Sequence, residues 1–138
     1  MTIHKGKHIF FDFDNFKIES QNEKDYDTDE IANVIFNIMQ NSITNLTKMK
    51  IVHKHLEILK QPDTENGFTS VLLLDESHFT AHAYTDKDKA LLAMDLFTCG
   101  NTDTEIVATY VIDNIKKVFP KINLNNYCIN KRFKYPKK

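Results

Sequence analysis

GFTSVLLLDESHFTAHAYTDKDKALLAMDLFTCG, residues Gly67 to Gly100, is the stretch that decides the fold. It reads as three consecutive strands. They carry, in order, a hydroxyl (Thr69), an acid-serine pair (Glu76-Ser77), a histidine (His82) and a cysteine (Cys99). Val71 to Leu74 is an unbroken apolar run, which suits a strand buried on both faces. It stops on three polar residues, Asp75-Glu76-Ser77, where a tight turn is expected near Glu76. Thr85 to Lys89 is the natural turn into the third strand.

Working outward, His8 to Phe13 is rich in aromatic and β-branched residues and predicts a first strand. Asp12 and Asp14 either face a site or end that strand in solvent. Glu19 to Glu30 is acidic and polar, a solvated connection, and a helix is expected to begin near Asp27 or Thr28, with Glu30 placed to help cap it. Ile31, Val34, Ile35, Ile38, Met39, Ile43 and Leu46 recur at helical spacing and form one core-facing stripe. Met49 to Leu59 follows as a strand with His53, His55 and Glu57 on one parity. Two histidines so spaced suit a metal, but no third ligand is evident and no metal site is assigned. Gln61 to Asn66 is a polar loop.

Beyond the central strands, Thr102-Asp103-Thr104-Glu105 has the form of a capping box opening a second helix. Its buried face is supplied by Ala108, Val111, Ile112, Ile115, Val118 and Phe119, and Pro120 stops it. Asn126 to Phe133 reads as a last strand, with Cys128 a small buried hydrophobe. Lys131, Arg132, Lys134, Lys137 and Lys138 form a solvated basic end. The expected order is β-α-β-β-β-β-α-β, a two-layer α+β sandwich with two helices on one face of a mainly antiparallel sheet.

With 138 residues, the chain suits a single domain. A net charge of −1 argues against a global field for nucleic acid or membrane. No apolar run approaches the ~18 residues of a membrane span, and no signal-peptide pattern opens the chain, so a cytoplasmic location is expected. Cys99 and Cys128 alone make no disulfide framework.

Asp75-Glu76-Ser77-His78, then Thr80, His82 and the closing Leu96-Phe97-Thr98-Cys99-Gly100, resembles the bacterial type of S-adenosylmethionine decarboxylase; Gly6-Lys7-His8 also matches that family's opening. The resemblance implies the same sandwich and a chain that cuts itself before Ser77 into residues 1–76 and 77–138. Ser77 would become a pyruvoyl cofactor that takes the substrate amine as a Schiff base. It further implies that Glu76 supplies the carbonyl attacked by Ser77, Thr69 stabilises the adduct, His82 is the processing base and Cys99 the proton donor to substrate. The implied activity is decarboxylation of S-adenosylmethionine for spermidine and other polyamines. The family's Trp-Pro-Glu after the histidine is replaced here by Ala83-Tyr84-Thr85-Asp86. Tyr84 and Asp86 are the expected substrate-binding residues, for adenine and ribose. That departure leaves open a pyruvoyl decarboxylase of another amino acid, arginine or ornithine; an uncleaved, non-catalytic partner subunit is a third possibility.

Geometry adds one constraint. Ser77 and His82 on one extended strand would lie roughly 16 Å apart and on opposite faces. Either the strand bends sharply after Ser77, or Ser77 and Cys99 of one subunit meet Thr69 and His82 of another in a symmetric homodimer, as the family's shared sites imply.

Overall fold

The structure is a computed structural model that describes residues 2–3, 5–15, 26–60, 65–86, 90–133 and 135–136. In chain order the elements are β1 (Thr2–Ile3), β2 (Gly6–Asp14), α1 (Thr28–Leu46), β3 (Ile51–Leu59), β4 (Gly67–Leu74), β5 (His78–Tyr84), β6 (Leu91–Cys99), α2 (Thr104–Val118), β7 (Asn123–Arg132) and β8 (Tyr135–Pro136). Six strands form one open sheet in the order β3-β4-β5-β6-β2-β7, every neighbour antiparallel. The expected two-layer α+β architecture is present. The expected order gains a two-residue ladder, β1 with β8, that composition did not signal.

Both helices lie on one face of the sheet, α1 over β3 and β4, α2 over β2 and β6, and they pack against each other. Period-two alternation decides which side chains they cover. Ile9, Phe11 and Phe13 of β2, Phe68 and Leu72 of β4, Phe79 and Ala81 of β5, and Leu92, Met94 and Leu96 of β6 are all buried there. Each large side chain so buried contributes about 1.5–3 kcal/mol relative to exposure. Against them α1 presents Ile31, Ile35, Met39 and Ile43, and α2 presents Val107, Ala108, Val111 and Ile115.

The apolar run at Val71 to Leu74 is buried on one face only. Leu72 and Leu74 point under the helices, whereas Leu73 is 47% exposed on the opposite, uncovered face. Leu46 likewise leaves the predicted stripe and is exposed at the end of α1. Cys128 is half-buried on the uncovered face, across from Phe10, and is not a core residue. Asp12 and Asp14 are both engaged across the strand pair: Asn126 donates to Asp12, and Asn123 and Asn125 donate to Asp14.

Asp27 caps α1, its side chain accepting from Glu30 N at 2.8 Å. For α2 the cap falls one residue later than the capping box predicts. Asp103, not Thr102, accepts from Ile106 N, and Thr104 becomes the first helical residue. The hydroxyl of Thr104 is thereby turned inward, against Thr98. Strand ends also move: β2 begins at Gly6, β3 at Ile51 and β7 at Asn123. The predicted loop at Gln61 to Asn66, the turn at Thr85 to Lys89 and the basic end each fall partly outside the described residues.

Gly67 opens β4 where the backbone of β5 passes closest. A Cβ there would sit 2.0 Å from the carbonyl oxygen of Ala83, a contact backbone cannot yield. Gly67→Ala is therefore expected to destabilise the fold by about 3 kcal/mol, at the upper end of overpacking effects. Urea unfolding should show a lower midpoint with an unchanged slope.

Candidate active site

A two-residue hairpin turn joins β4 to β5. Leu74 N donates to Ser77 O at 2.9 Å and Ser77 N to Leu74 O at 3.4 Å, leaving Asp75 and Glu76 at the corner. Asp75 is tied sideways to the start of β3: its N–H donates to Lys50 O at 3.0 Å, and its carboxylate accepts from Lys50 N at 3.2 Å. The Glu76–Ser77 peptide thus stands at the tip of an anchored turn. Glu76 is exposed and Ser77 is buried.

Ser77 Oγ accepts from the backbone N–H of Cys99 at 3.1 Å. The hairpin from β5 to β6 brings them together, as the positions of the two turns predict. Cys99 ends β6, and Gly100 then turns the chain with φ +69°, the left-handed region that glycine enters freely. Gly100 N is fixed to Lys5 O at 2.8 Å. A cavity of about 700 Å³ opens beside this turn, lined by Met49, Asp75, Glu76, Cys99, Asn101 and Thr102 among others. Its volume is within the range of small-molecule sites.

The second predicted cluster lies elsewhere, on the uncovered face. Thr69 and His82 are direct cross-strand partners, with Thr69 Oγ1 and His82 Nδ1 2.8 Å apart. Tyr84 stands edge-on to the His82 ring, centroids 5.0 Å apart and planes at 85°. β5 pairs with β4 and β6 without a bulge from His78 to Tyr84, so no bend along it carries His82 back toward Ser77. The chain alone assembles two half-clusters, Ser77 with Cys99 and Thr69 with His82.

Asp86 is not presented to either of them. Its two carboxylate oxygens accept from Asn66 N at 3.0 Å and Asn66 Nδ2 at 2.9 Å, which makes it a clasp across the far end of the β4–β5 hairpin. Of the two expected substrate-binding residues only Tyr84 stands beside a cluster, and Asp86 lines a separate cavity with Thr28, Asn66 and Thr85. His53 and His55 are exposed at the sheet edge, and His55 Nε2 contacts Glu57 at 2.9 Å.

Sequence reasoning missed a third group on the uncovered face. His8 Nε2 lies 3.1 Å from Asp95 Oδ1, and the His8 ring packs edge-on against Phe10. His78 packs edge-on against Phe97, over which the Arg132 guanidinium sits 5.2 Å from the centroid. The alternation of each strand was readable and would place these side chains on one face. Their juxtaposition needed the order β5-β6-β2-β7, which no local pattern reveals.

Fold and site together define an open-sheet α+β protein with a glutamate-serine hairpin held against a cysteine. The family model for S-adenosylmethionine decarboxylase matches residues 7–123, and the chain belongs to that family. An S-adenosylmethionine decarboxylase proenzyme of Thermococcus onnurineus is 34% identical over 58 residues, 41% of this chain and 40% of that one. An S-adenosylmethionine decarboxylase proenzyme 2 of Bacillus cereus is 38% identical over 52 residues, 37% of this chain and 41% of its own. These matches span about two fifths of the relatives' length. The crystal structure of the adenosylmethionine decarboxylase from Aquifex aeolicus superposes with a TM-score of 0.57 at 21% identity, covering 94% of this chain and 91% of that chain, a likeness of fold.

The Asp86–Asn66 clasp is testable by itself. Asp86→Ala and Asn66→Ala should each lower stability, and a double-mutant cycle should return a coupling of about 1 kcal/mol. Additive losses in chemical unfolding would show that the side-chain arm of the clasp, Asn66 Nδ2 to Asp86 Oδ1, carries nothing.

Proposed function

We propose that this protein is a self-processing, pyruvoyl-dependent decarboxylase of S-adenosylmethionine that supplies the aminopropyl donor for spermidine synthesis. What carries the proposal is the placement of the Glu76–Ser77 peptide at the tip of an anchored hairpin, with Ser77 Oγ held by Cys99 N–H. No helix among the described residues is long and apolar enough to cross a membrane. We place the enzyme in the cytoplasm, acting on a small molecule. Nothing in the fold or the relatives favours arginine, ornithine or a non-catalytic role.

The residues fit the formation of a pyruvoyl group. Ser77 Oγ adds to the Glu76 carbonyl carbon, and collapse of the adduct breaks the peptide bond, leaving Glu76 as an ester on Oγ and the Ser77 nitrogen as a free amine. The Thr69 hydroxyl donates to the adduct's oxyanion. His82 then takes the Ser77 α-proton, the Cβ–Oγ bond breaks, and Glu76 departs with the oxygen as a new carboxylate. Water replaces the nitrogen, which leaves as ammonia. When present, the pyruvoyl group supplies an electron sink for loss of carbon dioxide. Cys99, half-buried next to Ser77, delivers its thiol proton to the product's α-carbon as a general acid.

Thr69 and His82 reach Ser77 from a second copy of the chain. Ser77 and His82 are separated by roughly 16 Å of extended strand and by the sheet itself. The uncovered face, on which Leu73 is 47% and Leu91 42% exposed, offers the apolar surface for a partner. A two-fold axis would complete two equivalent sites in the homodimer.

The purified protein is expected as two fragments, residues 1–76 and 77–138, the second lighter by one ammonia than a serine-started chain. Carbon dioxide should be released from S-adenosylmethionine and not from arginine or ornithine. A chain that stays whole, or one indifferent to S-adenosylmethionine, overturns the assignment. Cys99→Ala should lower turnover by about tenfold or more while chain cleavage proceeds, as expected for loss of a general acid; unchanged turnover would remove Cys99 from its role. For the shared site, Ser77→Ala and His82→Ala chains are mixed under conditions of subunit exchange. One site of the mixed dimer is then intact, so part of the His82→Ala chain should be cut; no cleavage despite proven exchange would place both half-clusters' chemistry within one chain.

A further inference from the structure

The two threonines flanking the site, Thr98 and Thr104, have no part in the chemistry above, yet they make the shortest hydrogen bond around it. Thr98 Oγ1 and Thr104 Oγ1 are 2.5 Å apart, and both residues are 1% exposed. Thr98 is the residue before Cys99, and its carbonyl belongs to the same peptide unit as the Cys99 N–H that donates to Ser77 Oγ. Thr104 is the first residue of α2. A continuous line of contacts therefore runs from the start of α2 through Thr104, Thr98 and the Thr98–Cys99 peptide to the nucleophilic oxygen.

We infer that Thr98 and Thr104 are positioning residues: their mutual hydrogen bond sets the Cys99 N–H and thiol against residue 77, for chain cleavage and then for protonation of the product. The inference rests on the decarboxylase assignment and deepens it. Its physical basis is distance. Two hydroxyls joined by a hydrogen bond approach closer than two methyl groups, whose optimum lies near 3.5–4.0 Å. The bond thus holds β6 and α2 closer at this point than apolar packing of the two side chains would. The Cys99 N–H contact to Ser77, at 3.1 Å, has little room to lengthen. The other side of the cysteine is fixed independently through Gly100 N to Lys5 O, so the hydroxyl pair governs one of two anchors.

The decisive variant is Thr98→Val/Thr104→Val. Replacing both partners of a buried hydrogen bond with apolar groups of the same shape costs little stability, because no donor or acceptor is left unpaired. A purely structural pair would accordingly tolerate the double change in every respect. A positioning pair would not: without the hydrogen bond the two side chains no longer fix the spacing of β6 and α2, and a misplacement of about 1 Å at a reacting group can cost up to 10²-fold in rate.

The experiment measures, in the full chain, the rate of chain cleavage, kcat and KM for S-adenosylmethionine, and the fraction of turnovers that end with the pyruvoyl group transaminated. Expected for the double valine variant are thermal unfolding near that of the wild type, cleavage slower by about tenfold or more, kcat reduced more than KM is raised, and a larger transaminated fraction. Thr98→Ser/Thr104→Ser keeps both hydroxyls and should recover cleavage to within about threefold of wild type. Wild-type cleavage and protonation in a folded double valine variant overturns the inference while the decarboxylase assignment stands. A wild-type chain that never cleaves overturns both. Should the valine variant not fold, Thr98→Ala/Thr104→Ala, which removes both hydroxyls without overpacking, takes its place: cleavage slowed by about tenfold or more in that folded variant supports positioning by the hydroxyls, and wild-type cleavage overturns it.

Discussion

The backbone ladder of β4, β5 and β6 is the constraint on which the rest of this molecule depends. It places Thr69 opposite His82 and His82 opposite Ala93, with Ser77 beyond the last paired residue. A slip of one residue between β4 and β5 would turn one strand over. Phe68 or Ala83 would then leave the helices and Thr69 or His82 would be buried among them. The register is locked at both ends. At one, Gly67 admits the Ala83 carbonyl, Asp86 clasps Asn66, and Thr85 N donates to Asn66 O at 2.9 Å. At the other, the Leu74–Ser77 turn is closed and Asp75 is moored to Lys50. The chemistry of the proposed enzyme sits at the second end, where the turn is both tight and tethered.

Because a strand has two faces, β5 serves two purposes. Phe79, Ala81 and Ala83 hold the helices, while His78, Thr80, His82 and Tyr84 look the other way. The same parity separates Ser77 from the histidine proposed to act on it. Among the described residues nothing resolves that separation, since the pairing of β5 is regular on both sides. The exposed apolar residues on the uncovered face and the divided site are, on the proposed dimer, one problem with one solution.

Much of this was legible in the sequence, and what was missed has a common cause. Local periodicity marks elements, so the helices, the three central strands and the pairing of Thr69 with His82 could be read directly. Burial on the second face of the sheet could not. The run Val71 to Leu74 looks the same whether Leu73 is covered by its own chain or by another, and here its own chain leaves it open. The N-cap of α2 differs from the expected one because Thr102 and Asp103 are both good caps, and local sequence alone does not choose between them. Asp86 was read from its place in a family motif. Its partner Asn66 lies across the hairpin, in a loop whose local sequence says only that it is polar. The group around His8, Asp95 and Phe97 was invisible because it depends on β2 being inserted beside β6, a long-range choice.

A protein proposed to cut its own backbone must survive the cut, and the arrangement of the turn explains how. Loss of the Ser77 nitrogen as ammonia forfeits the Ser77 N to Leu74 O bond, at 3.4 Å the longer of the pair that closes the turn. The shorter one, Leu74 N to Ser77 O, uses an oxygen that remains. Asp75 keeps both hydrogen bonds to Lys50, so the new end at Glu76 stays moored to β3. The cross-strand pairs from Leu73–His78 to Gly67–Tyr84 involve no atom that the reaction removes. Each fragment is also bound to the other through the sheet, since β2 of the first fragment lies between β6 and β7 of the second. On the proposed cleavage, the connection between Glu76 and Ser77 would therefore be expendable once the sheet has formed, because no pair of the β4–β5 ladder includes either residue.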